Sequence, residues 1–330
     1  MHKRFVNHCT IKLTISPLSP ILIKSGREGA DPTKPDMEFV ETYYQSKQED
    51  NHILEKARAY LPGSSLKGAI RAHAERIVRT VGRDTRPEKS QLLWANDPLN
   101  DDYKYLENKS PQDIYKLSSF TDQMFGNTSL ASRIRIEDAY PVDSTKLRLE
   151  ERNGVAIDRV FGSVAVGPFN YQVCTGGEFS TKIHLKNFTL AQLGLIGLVL
   201  RDLDDGWFGL GFAKSRGLGV VQVTLQEAVV QYPGCVVDEE TNKIHLLGNR
   251  QKSWDYTQLL GVGMFVDDSE QYGFPTDDIA DTTDNKTNTP VHAHPMDLGM
   301  GVELCWQNEQ VKDLFTRAVK AWKQKVEVSV

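Results

Sequence analysis

The stretch "LPGSSLKG", residues 61–68, runs straight into "AIRAHAERIVRTV", whose apolar spacing predicts a helix from Ser65 to Val81. A Gly-Ser-Ser turn feeding a helix leaves backbone N–H groups without partners at the positive end of the helix dipole, a seat for an anion with Lys67 beside it. Phosphate fits that chemistry. The same residues also serve a plain structural purpose, with Ser64 or Ser65 capping the helix and the glycines making the turn. A second glycine-rich stretch, "GLGFAKSRGLG" at 209–219, carries Lys214 and Arg216. It reads either as a loop whose backbone approaches phosphates or as a flexible turn before a strand. "HAHP", with His292, His294 and Cys305 nearby, is a weak metal pattern because a fourth ligand is missing.

The elements that must position these residues follow from hydrophobic periodicity. "CTIKLTIS" alternates Ile11, Leu13 and Ile15 against Lys12 and Thr14 and predicts a strand; "SRIRIEDAYPV" (132–142) and "EFSTKIHLKNF" (178–188) predict two more. The first helix puts Leu66, Ile70, Ala74, Ile77, Val78 and Val81 on one face and Lys67, Arg71, Glu75 and Arg79 at i,i+4 steps on another. "TLAQLGLIGLVLRDL" predicts a core helix with a Thr189–Gln192 capping box and a stripe of Leu190, Leu193, Ile196 and Leu200. A fourth strand, "LGVVQVTLQEA", closes the series. Strand, helix, strand, strand, helix, strand is a βαββαβ order, so the expected fold is α+β with a ferredoxin-like or RRM-like core.

Around that core the sequence predicts a lid loop at 24–60, a variable insertion with some local helix at 84–118, and a projecting hairpin arm at 143–177 marked by Asn153-Gly154 and Gly167-Pro168. Residues 1–234 are read as one domain. Residues 235–330 are read as a C-terminal extension with a hairpin near 234–247, an acidic solvated loop at 265–285 and a final helix from about Glu309 to Lys325.

At 330 residues and 39% hydrophobic content the chain can build a sizeable core. No apolar run approaches a membrane span and no signal peptide is evident, which predicts a cytoplasmic protein. Cys9, Cys174, Cys235 and Cys305 form no CxxC pair and are expected to be ordinary thiols. The net charge of −5 is misleading, because the acidic loop alone carries seven carboxylates and no base; without it the balance is +2. Bases gather instead on the first helix, at Arg148, Arg152 and Arg159, and at Lys214 and Arg216.

Together, "LPGSSLKGAIRAHAE", "MFGNTSLASRIRIEDA", "RNGVAIDRVFG", "GGEF" and "GFAKSRGLGVVQV" resemble the RAMP superfamily of CRISPR-associated proteins, most closely the backbone subunits of type III (Csm/Cmr-like) interference complexes. The resemblance covers roughly residues 5–230, in family order. The loop at 24–60 and the insertion at 84–118 are longer than compact members have. In such subunits the turn before the first helix and the glycine-rich loop before the last strand lie against guide-RNA phosphates, and a thumb-like hairpin intrudes between guide and target bases. The resemblance thus implies RNA-binding roles for Gly63, Ser64, Ser65, Lys67 and Arg71, for Gly211, Lys214, Ser215, Arg216, Gly217 and Gly219, and for the arm with Arg148, Arg152 and Arg159.

Family members that cut target RNA use an aspartate in the loop after the first strand, in a metal-dependent attack of the ribose 2′-OH on the adjacent phosphate. "DMEFV" fits that position, so Asp36 is the first catalytic candidate and Asp31 the second, with Mg or Mn as the implied divalent ion. His73, at the border of the apolar helix face, is read as a packed histidine, the alternative being a general base as in guide-processing RAMP endonucleases. The implied partners are crRNA, target RNA and other RAMP subunits, with no membrane. Two other functions fit the same sequence: a stand-alone guide-processing endoribonuclease, and a non-catalytic structural adaptor.

Overall fold

Alternation in the first strand places Cys9, Ile11, Leu13 and Ile15 on one side, and all four are buried. The computed structural model describes residues 4–26, 35–47, 53–88, 92–97, 99, 102–282 and 290–329. In chain order the first half holds β1 (His8–Pro17), β2 (Glu41–Lys47), β3 (Ile53–Ala59), α1 (Gly63–Val81), α2 (Pro111–Leu117), α3 (Asp122–Phe125), β4 (Ile134–Ile136) and β5 (Tyr140–Pro141). Then come β6 (Arg148–Ile157), β7 (Val164–Gly176), β8 (Phe179–Lys186), α4 (Leu190–Asp204), β9 (Val221–Tyr232), β10 (Cys235–Asp238), β11 (Lys243–Leu246), β12 (Asn249–Asp255) and β13 (Gln258–Leu260). The chain finishes with α5 (Ser269–Tyr272), β14 (Ile279–Asp281), β15 (His294–Pro295), β16 (Val302–Gln307) and α6 (Gln310–Ser329).

The main sheet runs β15-β16-β9-β1-β8-β4, with β5 also on β8, and every neighbouring pair is antiparallel. The protein is therefore mixed α and β with an antiparallel sheet. Helix α4 lies in the core: the capping box of Thr189 and Gln192 forms, and Leu190, Leu193, Ile196 and Leu200 are buried. Gly194 and Gly197 lie where the Ala318 backbone and the Phe315 ring of α6 press in, so any side chain there would collide with the second helix.

Four expectations need correction. Helix α1 begins at Gly63 with Pro62 at its N-cap and no side-chain cap, so neither Ser64 nor Ser65 caps it. The segment 24–60 is not all loop, since β2 and β3 pair along their whole length as a hairpin. The region from 235 onward is not an appendage: β16 pairs with β9 in the main sheet, and α6 buries Val311, Leu314, Phe315, Ala318 and Trp322 in the common core.

The acidic segment 265–285 is not a solvated loop over its described part. Val266, Tyr272 and Phe274 pack with Tyr115, Leu130 and Val262, and Asp278 is buried with its Oδ1 accepting from the Leu190 amide at 2.9 Å. Buried Arg133 stacks between Tyr115 and Phe274, 4.0 and 5.7 Å from the ring centres, and donates to the Asn187 carbonyl. The insertion containing α2 and the acidic segment therefore share one small core.

Among the described residues no three His, Cys, Asp or Glu side chains are grouped to hold a metal ion. His294 pairs with Glu303 in the sheet and His292 packs on Tyr256. Cys9, Cys174 and Cys235 are buried and unbridged, as is the half-buried Cys305. No described helix is long and apolar enough to cross a membrane.

Candidate nucleic-acid interface

Register brings the separate motifs to one end of the sheet. Ile15 faces Phe179, Pro17 faces Val221 and Tyr140 faces Ser180. The end of β1, the start of β8 after the arm, the start of β9 after the glycine-rich loop, and the β4–β5 turn beside α1 are thus neighbours. Stretches far apart in the sequence meet there.

At the start of α1 the Gly63 amide donates to Asp138 Oδ1 at 2.7 Å. A Cβ at Gly63 would overlap the Ile136 carbonyl, so only glycine lets the helix start this close to β4. The chain thus supplies its own carboxylate at the first amide, while Ser64 and Ser65 stay exposed on the same turn. Lys67 Nζ donates to Ser132 Oγ at 2.8 Å, and burial, with the adjacent Arg71 charge, lowers its pKa. Arg71 is turned inward: it bonds Glu75 at 2.8 Å, Asp122 at 2.9 Å and the Gly126 carbonyl at 3.1 Å.

The glycine-rich loop divides into a fixed frame and an exposed tip. Gly211 and Gly219, at φ of +78° and +88°, sit against the carbonyls of Leu22 and Leu210, where a side chain would collide. These two glycines serve the loop's own packing. Between them Lys214, Ser215, Arg216 and Gly217 form an exposed turn, and among the described residues neither Lys214 nor Arg216 has an ion pair. The loop is held down by Phe212 N–H donating to the Leu22 carbonyl at 2.7 Å and Gly219 N–H donating to the Pro20 carbonyl at 2.8 Å.

The arm is the two-stranded ribbon β6–β7, anchored at its base by Val173 and Cys174, with Leu22 and Leu218 in contact with Val173. Arg148, Arg152 and Arg159 are exposed on it, Arg152 in a loose 3.6 Å pair with Glu150. The ribbon's far half is apolar and in the open: Val160 is 81% and Phe161 84% exposed, with Ile157, Val164 and Val166 beside them. Asp36 lies against the middle of the arm, where its Oδ2 accepts from the amide of Asn170, which is opposite Asn153, at 2.8 Å. Met37 and Gln172 continue the contact through their backbones. Asp31 lies outside the described residues.

Two aromatic side chains near the loop escaped the sequence reading. Trp207 is 70% exposed with the Arg201 guanidinium over its ring, and Phe212 is exposed with Lys24 Nζ 5.0 Å from its centre. Aromatics interleaved with bases in "GWFGLGFAKSRG" were the available signal. His73 is buried, bonded through Nε2 to Asp202 at 2.8 Å and stacked on Phe208, as a packed histidine should be.

No curated protein matches the chain. A family model of the RAMP superfamily matches residues 14–222, which run from the middle of β1 through α1, the arm, β8 and α4 to the first residues of β9. That span is well over half of the sequence and contains every motif gathered at this end of the sheet; the chain belongs to the RAMP superfamily.

Proposed function

We propose that the protein is a guide-RNA-binding backbone subunit of a type III CRISPR effector complex, holding a stretch of crRNA through sequence-independent phosphate contacts. Superfamily membership points to a CRISPR-associated, RNA-binding protein that works in multi-subunit complexes. The observation that carries the finer reading is the meeting, at one sheet end, of the exposed Lys214–Gly217 turn, the α1 start and a largely unpacked arm with an apolar tip. The spatial order β9-β1-β8-β4 of the four expected strands supports a ferredoxin-like core behind that end.

Charge reversal of Lys214 and Arg216 together is expected to weaken guide retention in the assembled complex equally for all guide sequences. It should also flatten the salt dependence, because fewer counterions are released. Unchanged retention across a salt series ends this reading of the loop.

We attach a target-cleaving role to Asp36, supported by its exposed carboxylate against the middle of the arm. One carboxylate does not make a divalent-ion site, and we derive no metal-dependent step from it. An Asp36→Ala complex is expected to lose one cut in complementary target RNA and keep its guide. An unchanged cleavage pattern removes the role.

A further inference from the structure

The outward face of the main sheet, opposite the helices, has its own chemistry. Reading across β1 and β8, His8 faces Lys186, Thr10 faces His184, and Lys12 faces Lys182; on β4, Arg135 faces His184. Lys182, Lys186 and Arg135 are exposed, and among the described residues Lys12, Lys182 and Lys186 make no ion pair. Four cations therefore stand among three carboxylates: Glu137, whose Oε1 already takes Arg135 at 3.0 Å and His184 Nε2 at 2.8 Å, Glu227, which faces Lys12 across β1 and β9, and Glu303. Glu227 and Glu303, on the β9 and β16 side, flank this half of the face.

Three flat rings run through the cations. Phe5, half exposed, packs on His8 at 5.5 Å, and His8 stacks on His184 at 5.5 Å with only 15° between the planes. Hydrogen bonds fix the imidazoles. Gln231 directs its amide N–H to Glu303, so its Oε1 accepts from His8 Nδ1–H at 3.4 Å, leaving His8 Nε2 as an acceptor. Burial lowers the His8 pKa from the ordinary histidine value; the Gln231 hydrogen bond opposes this, and nearby Arg135 and Lys186 add to it.

Beside the rings a groove of about 500 Å³ opens between β4–β5 and β8, lined by Arg135, Glu137, Asp138, Tyr140, Ser180 and Lys182. It leads to the α1 start, where the Gly63 amide occupies Asp138 Oδ1. Tyr140 stacks on Tyr60 at 5.7 Å at that end.

We propose that this face is a second RNA-binding surface, which takes single-stranded RNA by stacking a base on Phe5, the exposed end of the Phe5–His8–His184 ring stack, while Lys12, Lys182, Lys186 and Arg135 hold its phosphates. An exposed ring backed by further rings and set among cations is what an unpaired strand needs; a duplex offers no base faces. The inference shares its partner class with the function proposed above but not its site, which is the glycine-rich loop and arm.

The test is equilibrium binding of a fluorescein-labelled oligouridylate to the full chain across a salt series, with ultraviolet crosslinks mapped to peptides. Phe5→Ala is expected to weaken binding at least about fivefold. Lys182→Ala with Lys186→Ala should lower the slope of log K against log salt by about 1.4, from two lost single-strand phosphate contacts. A double variant, Lys214→Ala with Arg216→Ala, reports on the loop separately. Crosslinks in the peptides holding Phe5, His8 and His184 support the proposal. Unchanged affinity and slope in both sheet-face variants, with melting temperatures at the parent value, overturn it, as do crosslinks confined to 207–219; both results leave the loop reading standing. Sheet-face crosslinks with a loop variant that binds normally uphold this surface and overturn the loop.

Discussion

Arg71 shows how a residue of the right type in the right motif is claimed by the fold. Its guanidinium bonds Asp122, whose side chain is 0% exposed, across 51 positions of sequence. Asn96 and Tyr103 complete the same carboxylate. Arg71→Ala leaves that buried charge short of its cation. Because Arg71 is itself 31% exposed, the cost lies below that of a fully buried pair and well above a surface pair, at about 2 kcal/mol. Chemical denaturation of the variant should show that loss. Lys214→Ala and Arg216→Ala, by contrast, should change stability by less than about 0.5 kcal/mol. Guide retention falling in the Arg71 variant without a stability loss would return Arg71 to the RNA path.

At the scale of elements, Asp278 ties the segment before β14 to the start of α4. One oxygen accepts from Leu190 N–H at 2.9 Å, and the Gly263 backbone is the carboxyl's other polar neighbour. Burial, aided by neighbouring Asp277, pushes its carboxyl up to about 7. A folded-state pKa raised above the unfolded value of 3.8 means that the folded protein holds the proton longer. Its contribution is complete below about pH 4 and is lost as pH rises toward 7. Asp278→Asn is expected to remove that downward slope, so melting temperatures of parent and variant should diverge between about pH 4 and 7. Parallel curves would show that Asp278 does not titrate there.

The same segment shows what a sequence conceals. Periodicity revealed the four central strands and both core helices, because each alternates or repeats its apolar residues against one shared core. In 265–285 the density of acids masked Phe265, Val266, Tyr272 and Phe274, which carry the burial. The β2–β3 hairpin lacks a clear apolar face and so reads as loop. The exposed Lys214–Gly217 turn was legible from local composition, whereas the inward turn of Arg71 depended on an aspartate that no local pattern predicts.

For the molecule as a whole, the last strand and helix decide whether there is a folded unit. Burying one large apolar side chain is worth about 1.5–3 kcal/mol, and α6 buries Val311, Leu314, Phe315 and Trp322. Their sum rivals the whole stability of a typical domain, about 5–15 kcal/mol. A chain ending at residue 234 is expected to aggregate, seen as loss of the monomer peak in gel filtration. A monomeric, cooperatively melting 1–234 fragment would show that the boundary read from sequence is a true domain boundary. The pairing of β16 with β9 also sets an order of events during synthesis. While the ribosome is still translating the final helix, β9 presents an unpaired edge and α4 an uncovered apolar groove. The nascent protein is thus most exposed to chaperones, and to pairing with a sister chain on the same messenger, until β16 and α6 have emerged.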